Sequence, residues 1–208
     1  MPRSIFEIEE FPDLIPLFKC WQGIWSELAS TDLTWIHWGA EDETLVSGEW
    51  VAAPVYTGNT TGKGRKRKPR PRGIHHPSSE RQFLHACREL PKILPEMTKW
   101  FKTFERVNMI GLSRFLPGCE LDTHIHQNPD SLVLHICCMA PPQGAALAVG
   151  PTLCSAPWMG YSISSEDIVF EWSEPGEYII FDDSLPHAAW NRGETERILL
   201  HIDFEKEL

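Results

Sequence analysis

Hydrophobic residues follow two different spacings along the chain, and the change between them occurs near residue 107. Before it, apolar residues show the three- and four-residue spacing of one buried helix face, carried by Leu17, Cys20, Trp21, Ile24, Trp25 and Leu28. We therefore predict a helix within residues 11–30. A second helix is predicted over Ser79–Lys102, where Pro91 and Pro95 are expected to break it into shorter pieces.

After this point, short apolar runs alternate with turn residues, as in a succession of β-strands. Six strands are predicted there: Val107–Phe115, Ser131–Met139, Ala145–Gly150, Asp167–Trp172, Glu177–Phe181 and Arg197–Phe204. Gly48–Tyr56 is predicted as an earlier, first strand. Strands at this spacing indicate an antiparallel sandwich or barrel. We predict a mainly β fold of the α+β class: a double-stranded β-helix, or cupin-like jelly roll, with the N-terminal helices packed on it.

Length and charge fit one acidic domain with a single basic segment. The 208 residues suffice for one domain over 1–208 that buries about 70% of its unfolded surface. The net charge is −10, yet residues 62–73 hold 7 of the 19 basic residues, which leaves 12 basic against 29 acidic residues elsewhere. Glycine, proline and charge predict a flexible loop at 59–78. This loop lacks interleaved aromatic residues and the rest of the chain is acidic, so nucleic acid is not the expected partner.

The cysteines and the apolar segments indicate the compartment. Six cysteines occur without a CxxC pair, and Cys137 and Cys138 are expected on opposite faces of one strand. The N-terminal residues lack the apolar run of a signal peptide, and no run of about 20 apolar residues is present to span a membrane. We therefore predict a cytoplasmic protein with free thiols and no membrane partner.

Two histidine motifs carry the candidate chemistry. His124 follows the Pro117–Gly118 turn, and His187 follows the predicted strand Glu177–Phe181. Such strand ends converge at the mouth of a jelly roll, where neutral imidazoles bind ferrous iron and leave positions open for oxygen activation. A carboxylate ligand usually stands two residues after the first histidine, and here that residue is His126. From the residues alone, iron ligands and ordinary core or surface histidines are equally favoured.

The last predicted strand adds a candidate anion site. Alternation separates its two faces, one of which holds Arg197, Leu199, His201 and Asp203. A dicarboxylate co-substrate would pair with Arg197 if it points into the barrel, since an unpaired buried charge is costly, but alternation by itself favours a surface salt bridge. His135 could hydrogen-bond the same carboxylate, although its apolar strand favours a satisfied core histidine. Asp182 or Asp183 could orient a metal-bound imidazole or form an ordinary turn.

Taken together, these residues resemble the aspartyl/asparaginyl β-hydroxylase family of iron(II)- and 2-oxoglutarate-dependent oxygenases. The family block Phe-Asp-Asp-Ser-x-x-His-x-x-Trp-Asn is intact as Phe181–Asn191, and Trp172–Glu177 is similar to the family's approach to that block. The family's Pro-Gly element before the first histidine is present as Pro117–Gly118. Gly48–Tyr56 and Cys87–Pro91 are similar to weaker N-terminal landmarks, so the resemblance covers most of the chain.

The resemblance implies an activity and a set of site residues. It implies His124 and His187 as iron(II) ligands and Arg197 as the partner of one 2-oxoglutarate carboxylate, with Ser113 and His135 assisting. The implied reaction uses O2 to hydroxylate an unactivated carbon, expected to be the β-carbon. The expected substrate is an amino acid, or an amino-acid residue in a peptide or a carrier-bound molecule. The oligomeric state is left open.

Two positions depart from the family pattern. The family commonly has glycine, with water filling the site, where this chain has His126, so a third histidine ligand remains an alternative. Members often have arginine two residues before the position of His135, and here that residue is Val133. Two other functions also remain. One is a three-histidine cupin-type dioxygenase that does not use 2-oxoglutarate, and the other is a non-enzymatic nucleic-acid binder that uses the basic loop.

Overall fold

Four α-helices are present in the computed structural model, which describes residues 3–37, 45–58, 77–126, 130–151, 153–156, 160–162 and 164–207. The basic segment 62–73 lies outside these residues. The helices are α1 (Ile15–Lys19), α2 (Trp21–Ala29), α3 (Pro77–Ile93) and α4 (Pro95–Phe101), and a single 3-10 turn covers Ile8–Glu10. The predicted helix within 11–30 is therefore two short helices that meet at Cys20.

The prolines of the second helical region act differently from one another. Pro95 begins α4, as its fixed φ and missing N–H favour at a first helical position. The predicted break at Pro91 is wrong, because α3 continues through it to Ile93. Pro91 lies in the last turn, where a missing N–H removes one hydrogen bond of a helix that is about to end.

The strands form two antiparallel sheets and a small two-stranded ribbon. They are β1 (Ile5–Phe6), β2 (Ile36–His37), β3 (Leu45–Ser47), β4 (Trp50–Thr57), β5 (Val107–Phe115), β6 (Cys119–His124), β7 (Ser131–Met139), β8 (Ala145–Val149), β9 (Cys154–Ala156), β10 (Gly160–Ser162), β11 (Ile168–Trp172), β12 (Tyr178–Phe181), β13 (His187–Asn191) and β14 (Arg197–Glu205). The larger sheet has the order β1-β12-β7-β14-β5-β4-β2, and the smaller has the order β11-β8-β13-β6-β3. The predicted mainly β jelly roll with packed helices is confirmed.

The larger sheet separates two apolar cores. One of its faces packs against the helices, through residues such as Leu28, Phe101 and Leu200. The other faces the smaller sheet, where Leu199 packs in one cluster with Leu121. Strand β14 alternates between these cores, with Ile198, Leu200, Ile202 and Phe204 on the helix side. The predicted alternation of this strand is therefore confirmed, and it directs Arg197 between the two sheets.

Candidate active site

Three histidines converge at the ends of two neighbouring strands of the smaller sheet. His124 is the last residue of β6 and His187 is the first residue of β13, and the two are paired directly across the strands. Their ring centroids are 4.1 Å apart, and the ring of His126 lies 5.3 Å from each of them. The candidate ligand atoms of all three lie within 4.8 Å of one another. One metal ion would therefore be within reach of all three imidazoles.

In each of the three rings, Nδ1 is the nitrogen that contacts a protein oxygen. Nδ1 of His124 lies 2.8 Å from the carbonyl oxygen of Asp122, and Nδ1 of His187 lies 2.9 Å from that of Leu185. Nδ1 of His126 lies 2.9 Å from a carboxylate oxygen of Asp183. Because these oxygens accept hydrogen bonds, Nδ1 is the donor, and the neutral form of such a ring carries its lone pair on Nε2.

The electrostatic surroundings keep the central histidine neutral. Burial, with the adjacent rings of His124 and His126, holds the pKa of His187 well below its ordinary value. A neutral imidazole is the form that binds a metal ion, so little proton release opposes binding at this residue. Three imidazole nitrogens form a donor set that suits a divalent transition metal such as iron(II). The residues present therefore fit the metal that the resemblance implies.

Arg197 lies deep between the sheets, at the start of β14. It is 2% exposed, and its guanidinium carbon lies 3.7 Å from the centroid of the Phe115 ring and 5.1 Å from that of Trp172. Among the described residues no carboxylate pairs with it, and its Nε and Nη1 atoms have no hydrogen-bond acceptor. Burial lowers its pKa to about 9, so it stays charged at neutral pH. The interpretation as a surface salt bridge is therefore wrong, because the face of β14 that carries Arg197 is an inner face.

His135 connects the region of Arg197 with the three histidines. Its Nε2 lies 2.9 Å from Nδ1 of His201, the residue paired with it on β14, and its Nδ1 is buried without a partner. The ring of Phe181 lies 5.3 Å from that of His135 and 5.5 Å from that of His187. Burial and then the charges of His201, Arg197 and His187 hold the pKa of His135 well below its ordinary value. The interpretation as a fully satisfied core histidine is therefore half right: one ring nitrogen is bonded and the other is not.

Ser113 and two tryptophans complete the wall of this inner space. Ser113 pairs across the sheet with Leu199, and its hydroxyl accepts a hydrogen bond of 3.1 Å from the indole of Trp50. The indole N–H of Trp172, which is 0% exposed, has no acceptor. Sequence reasoning used Trp172 only as a motif landmark and did not identify the bond between His135 and His201. Strand alternation puts His201 on the same face of β14 as Arg197. This is the signal in the sequence that could have pointed to His201.

Part of the chain is similar in sequence to a known lipid hydroxylase. Ornithine lipid ester-linked acyl 2-hydroxylase from Rhizobium tropici is 32% identical over 96 residues, which are 46% of this chain and 29% of that protein. The match thus spans less than a third of that relative's length. No helix in the described parts of the chain is both long and apolar enough to cross a bilayer.

The fold is similar to that of a solved oxidoreductase. An oxidoreductase of the 2OG-Fe(II) oxygenase family from Burkholderia pseudomallei has a TM-score of 0.51 and 15% identity, over 88% of this chain and 77% of its own. A cupin domain from Bordetella pertussis has a TM-score of 0.33 and 19% identity, over 49% of this chain and 83% of its own. The family profile described as aspartyl/asparaginyl beta-hydroxylase matches residues 21–207. This chain belongs to the aspartyl/asparaginyl β-hydroxylase family.

Proposed function

We propose that this protein is an iron(II)- and 2-oxoglutarate-dependent dioxygenase that hydroxylates an unactivated carbon of an amino-acid-like substrate. The observation that carries the proposal is the buried, unpaired guanidinium of Arg197. It stacks on Phe115 and Trp172, which belong to the same apolar cluster as Phe181, the ring beside His187. A buried cation without hydrogen-bond acceptors is costly, so a native structure keeps one where a ligand completes it. A dicarboxylate that also reaches the metal meets this requirement.

The donors around Arg197 suit a carboxylate in particular. Its guanidinium can bond both oxygens of a carboxylate in one plane, and the indole N–H of Trp172 is a further unsatisfied donor beside it. The hydroxyl of Ser113 accepts from Trp50 and so keeps its own hydrogen to donate. His135 can donate from Nδ1 in the tautomer that accepts from His201 at Nε2. We assign this pocket to the co-substrate carboxylate that is remote from the metal.

The protein's share of the reaction is positioning and the exclusion of water. His124 and His187 would hold ferrous iron through their Nε2 atoms. With 2-oxoglutarate and O2, bound iron supplies the oxidising power to convert a C–H bond into C–OH while the co-substrate becomes succinate and carbon dioxide. Arg197 fixes one end of the co-substrate, so that the other end meets the metal in one orientation. The rings of Phe115, Trp172 and Phe181 keep the space between apolar and dry.

The substrate class rests on the family. Its description names aspartyl and asparaginyl residues as the groups hydroxylated, and we propose the β-carbon of a free, peptide or carrier-bound amino acid. The partial relative is an acyl 2-hydroxylase that acts on an ornithine lipid, which makes an acyl chain the substrate to test beside these. A panel should therefore contain free amino acids, short acidic peptides and acyl-ornithine compounds.

Succinate release tests the proposal. Protein reconstituted with iron(II) under argon is given 2-oxoglutarate and the panel, and oxygen is then admitted. We expect succinate in proportion to hydroxylated product, and none above background from His187→Ala. Arg192→Ala is a matched control, since Arg192 is a half-exposed arginine that pairs with Glu120 outside the site. Hydroxylation without succinate would favour the three-histidine dioxygenase, and release of succinate that equals the His187→Ala background would refute the proposal.

A further inference from the structure

His126 stands where the family commonly has glycine, and its ring is placed like those of the two expected ligands. Its ring centroid is 5.3 Å from both His124 and His187, and its ligand atom belongs to the same cluster within 4.8 Å. Ligand nitrogens in adjacent positions of one metal ion are separated by about 3 Å when each bond is about 2.1 Å. Small side-chain rotations therefore suffice to bring the three nitrogens onto one ion.

Asp183 holds this ring from two sides. Its carboxylate accepts from Nδ1 of His126 at 2.9 Å, and its backbone carbonyl accepts from the His126 N–H at 2.8 Å. Asp183 is 2% exposed, whereas the side chain of His126 is 30% exposed, so the carboxylate anchors the ring from the protein interior. The other two rings are oriented by neutral carbonyls. A carboxylate on Nδ1 makes the opposite nitrogen a stronger donor, as in many metal sites with a histidine and a carboxylate behind it.

We propose that His126 is a third protein ligand of the metal and that Asp183 is its positioning residue. The proposal rests on the metal site of the proposed function, which it deepens by replacing the family's water with an imidazole. Three imidazole ligands would still leave other coordination positions of the metal for the co-substrate and the reactants. The alternative is that His126 and Asp183 form only a structural ion pair beside a two-histidine site.

Metal binding without turnover distinguishes these cases. Metal-free protein is titrated with Co(II) against a competing chelator, and pulsed EPR of the Cu(II)-loaded protein counts the bound imidazoles. We expect three imidazoles in the native protein and two in His126→Gly. Loss of the carboxylate in Asp183→Asn is expected to weaken Co(II) binding about 10- to 100-fold, and His126→Gly at least as much. Asp182→Asn is the matched control, since that neighbouring carboxylate bonds Lys206 and Ser184 instead.

A double variant separates positioning from a general loss of structure. If Asp183 acts through His126, then His126→Gly with Asp183→Asn binds Co(II) no more weakly than His126→Gly alone. Added imidazole is expected to enter the space left in His126→Gly and restore the three-imidazole signal. Two imidazoles in the native protein, or a Co(II) affinity in His126→Gly within threefold of native, would overturn the proposal. Succinate release by that same preparation would leave the proposed function standing, so the two failures are distinguishable.

Discussion

Arg197 is bound by the protein in a way that a lysine could not match. Its planar guanidinium lies against the rings of Phe115 and Trp172, an arrangement in which the ring faces partly compensate for lost hydration. The ring faces offer no hydrogen-bond acceptor, so its unpaired N–H groups remain available to a ligand. Stacking therefore holds the guanidinium in place, and its N–H groups stay able to hydrogen-bond the co-substrate.

Arg197→Ala is expected to raise the Michaelis constant for 2-oxoglutarate at least about tenfold. Charge-assisted hydrogen bonds contribute roughly 1.5–3 kcal/mol, and about 1.4 kcal/mol corresponds to one decade. Co(II) affinity is expected to stay unchanged, because this residue contacts the co-substrate and not the metal. The Michaelis constant of Arg197→Lys should lie between those of the native protein and Arg197→Ala, since lysine restores the charge without the planar fork. Initial rates at varied 2-oxoglutarate concentrations measure this Michaelis constant. A value for Arg197→Ala equal to that of the Arg192→Ala control would contradict the assignment.

Trp172→Phe removes an indole N–H and retains an aromatic ring against the guanidinium. A neutral hydrogen bond contributes about 0.5–1.5 kcal/mol, so we expect the Michaelis constant for 2-oxoglutarate to rise about two- to tenfold. The ligand-free protein loses a buried donor that has no acceptor, so its melting temperature is not expected to fall through lost hydrogen bonding. Weaker co-substrate binding in a protein of undiminished thermal stability would identify a binding role. An unchanged Michaelis constant would show that only the aromatic ring of Trp172, and not its N–H, contributes to co-substrate binding.

At the scale of the elements, the apolar runs predicted β4, β5, β7, β12 and β14 of the larger sheet and β8 and β11 of the smaller one, but not the two strands that carry the histidines. The two faces of β14 and the opposite orientations of Cys137 and Cys138 were predicted correctly. Successive residues of a strand point to opposite sides of the sheet, so each apolar core takes every second residue. Strands β6 and β13 were missed. The first is short and mostly polar, with only two apolar residues, Cys119 and Leu121, and the second begins His-Ala-Ala, which lacks the β-branched residues typical of strands.

Motifs that resemble those of the family, rather than periodicity, pointed to the chemistry of those two strands. The resemblance implied His124 and His187 as ligands of one metal, and the structure has their ring centroids 4.1 Å apart, although the strands that carry them were not predicted. The position of His126 could not be decided from sequence, because its bond to Asp183 joins residues 57 positions apart. The same holds for the burial of Arg197, which depends on the second sheet covering β14. Contacts of this range are set by tertiary packing and not by local pattern.

Asn191 ties the ends of several strands together and so positions Arg197. It is 0% exposed, donates to the carbonyl oxygens of Phe115 and Thr195, and accepts from the N–H of Gly193. Asn191→Ala is expected to lower the free energy of unfolding by about 2–3 kcal/mol, at roughly 1 kcal/mol for each lost bond. It should also raise the Michaelis constant for 2-oxoglutarate, because the turn into β14 loosens. Urea unfolding measures the first effect, and a loss below about 0.5 kcal/mol would contradict this role.

For the whole molecule, the buried His187 and the partly buried His135 couple folding to pH. His135 and His187 bind protons less readily in the folded protein than in the unfolded chain, because both have lowered pKa values. Below a pH of about 6.5, where an unfolded histidine takes up its proton, the unfolded state holds more protons. The free energy of unfolding of the metal-free protein therefore falls as pH falls. The loss begins near neutrality, above the range in which carboxylates titrate.

His135→Gln tests this coupling without altering the metal ligands. Each neutral buried histidine adds a slope of up to about 1.4 kcal/mol per pH unit to the free energy of unfolding below a pH of about 6. Urea unfolding of the metal-free protein between pH 7.5 and 5 should give a slope that, below a pH of about 6, is smaller in His135→Gln by up to about that amount. The absolute stability of the variant will also change, because the bond to His201 is altered, but the slope depends only on proton uptake. Identical slopes in the two proteins would show that His135 binds its proton equally well in the folded and unfolded states, against the burial that the structure shows.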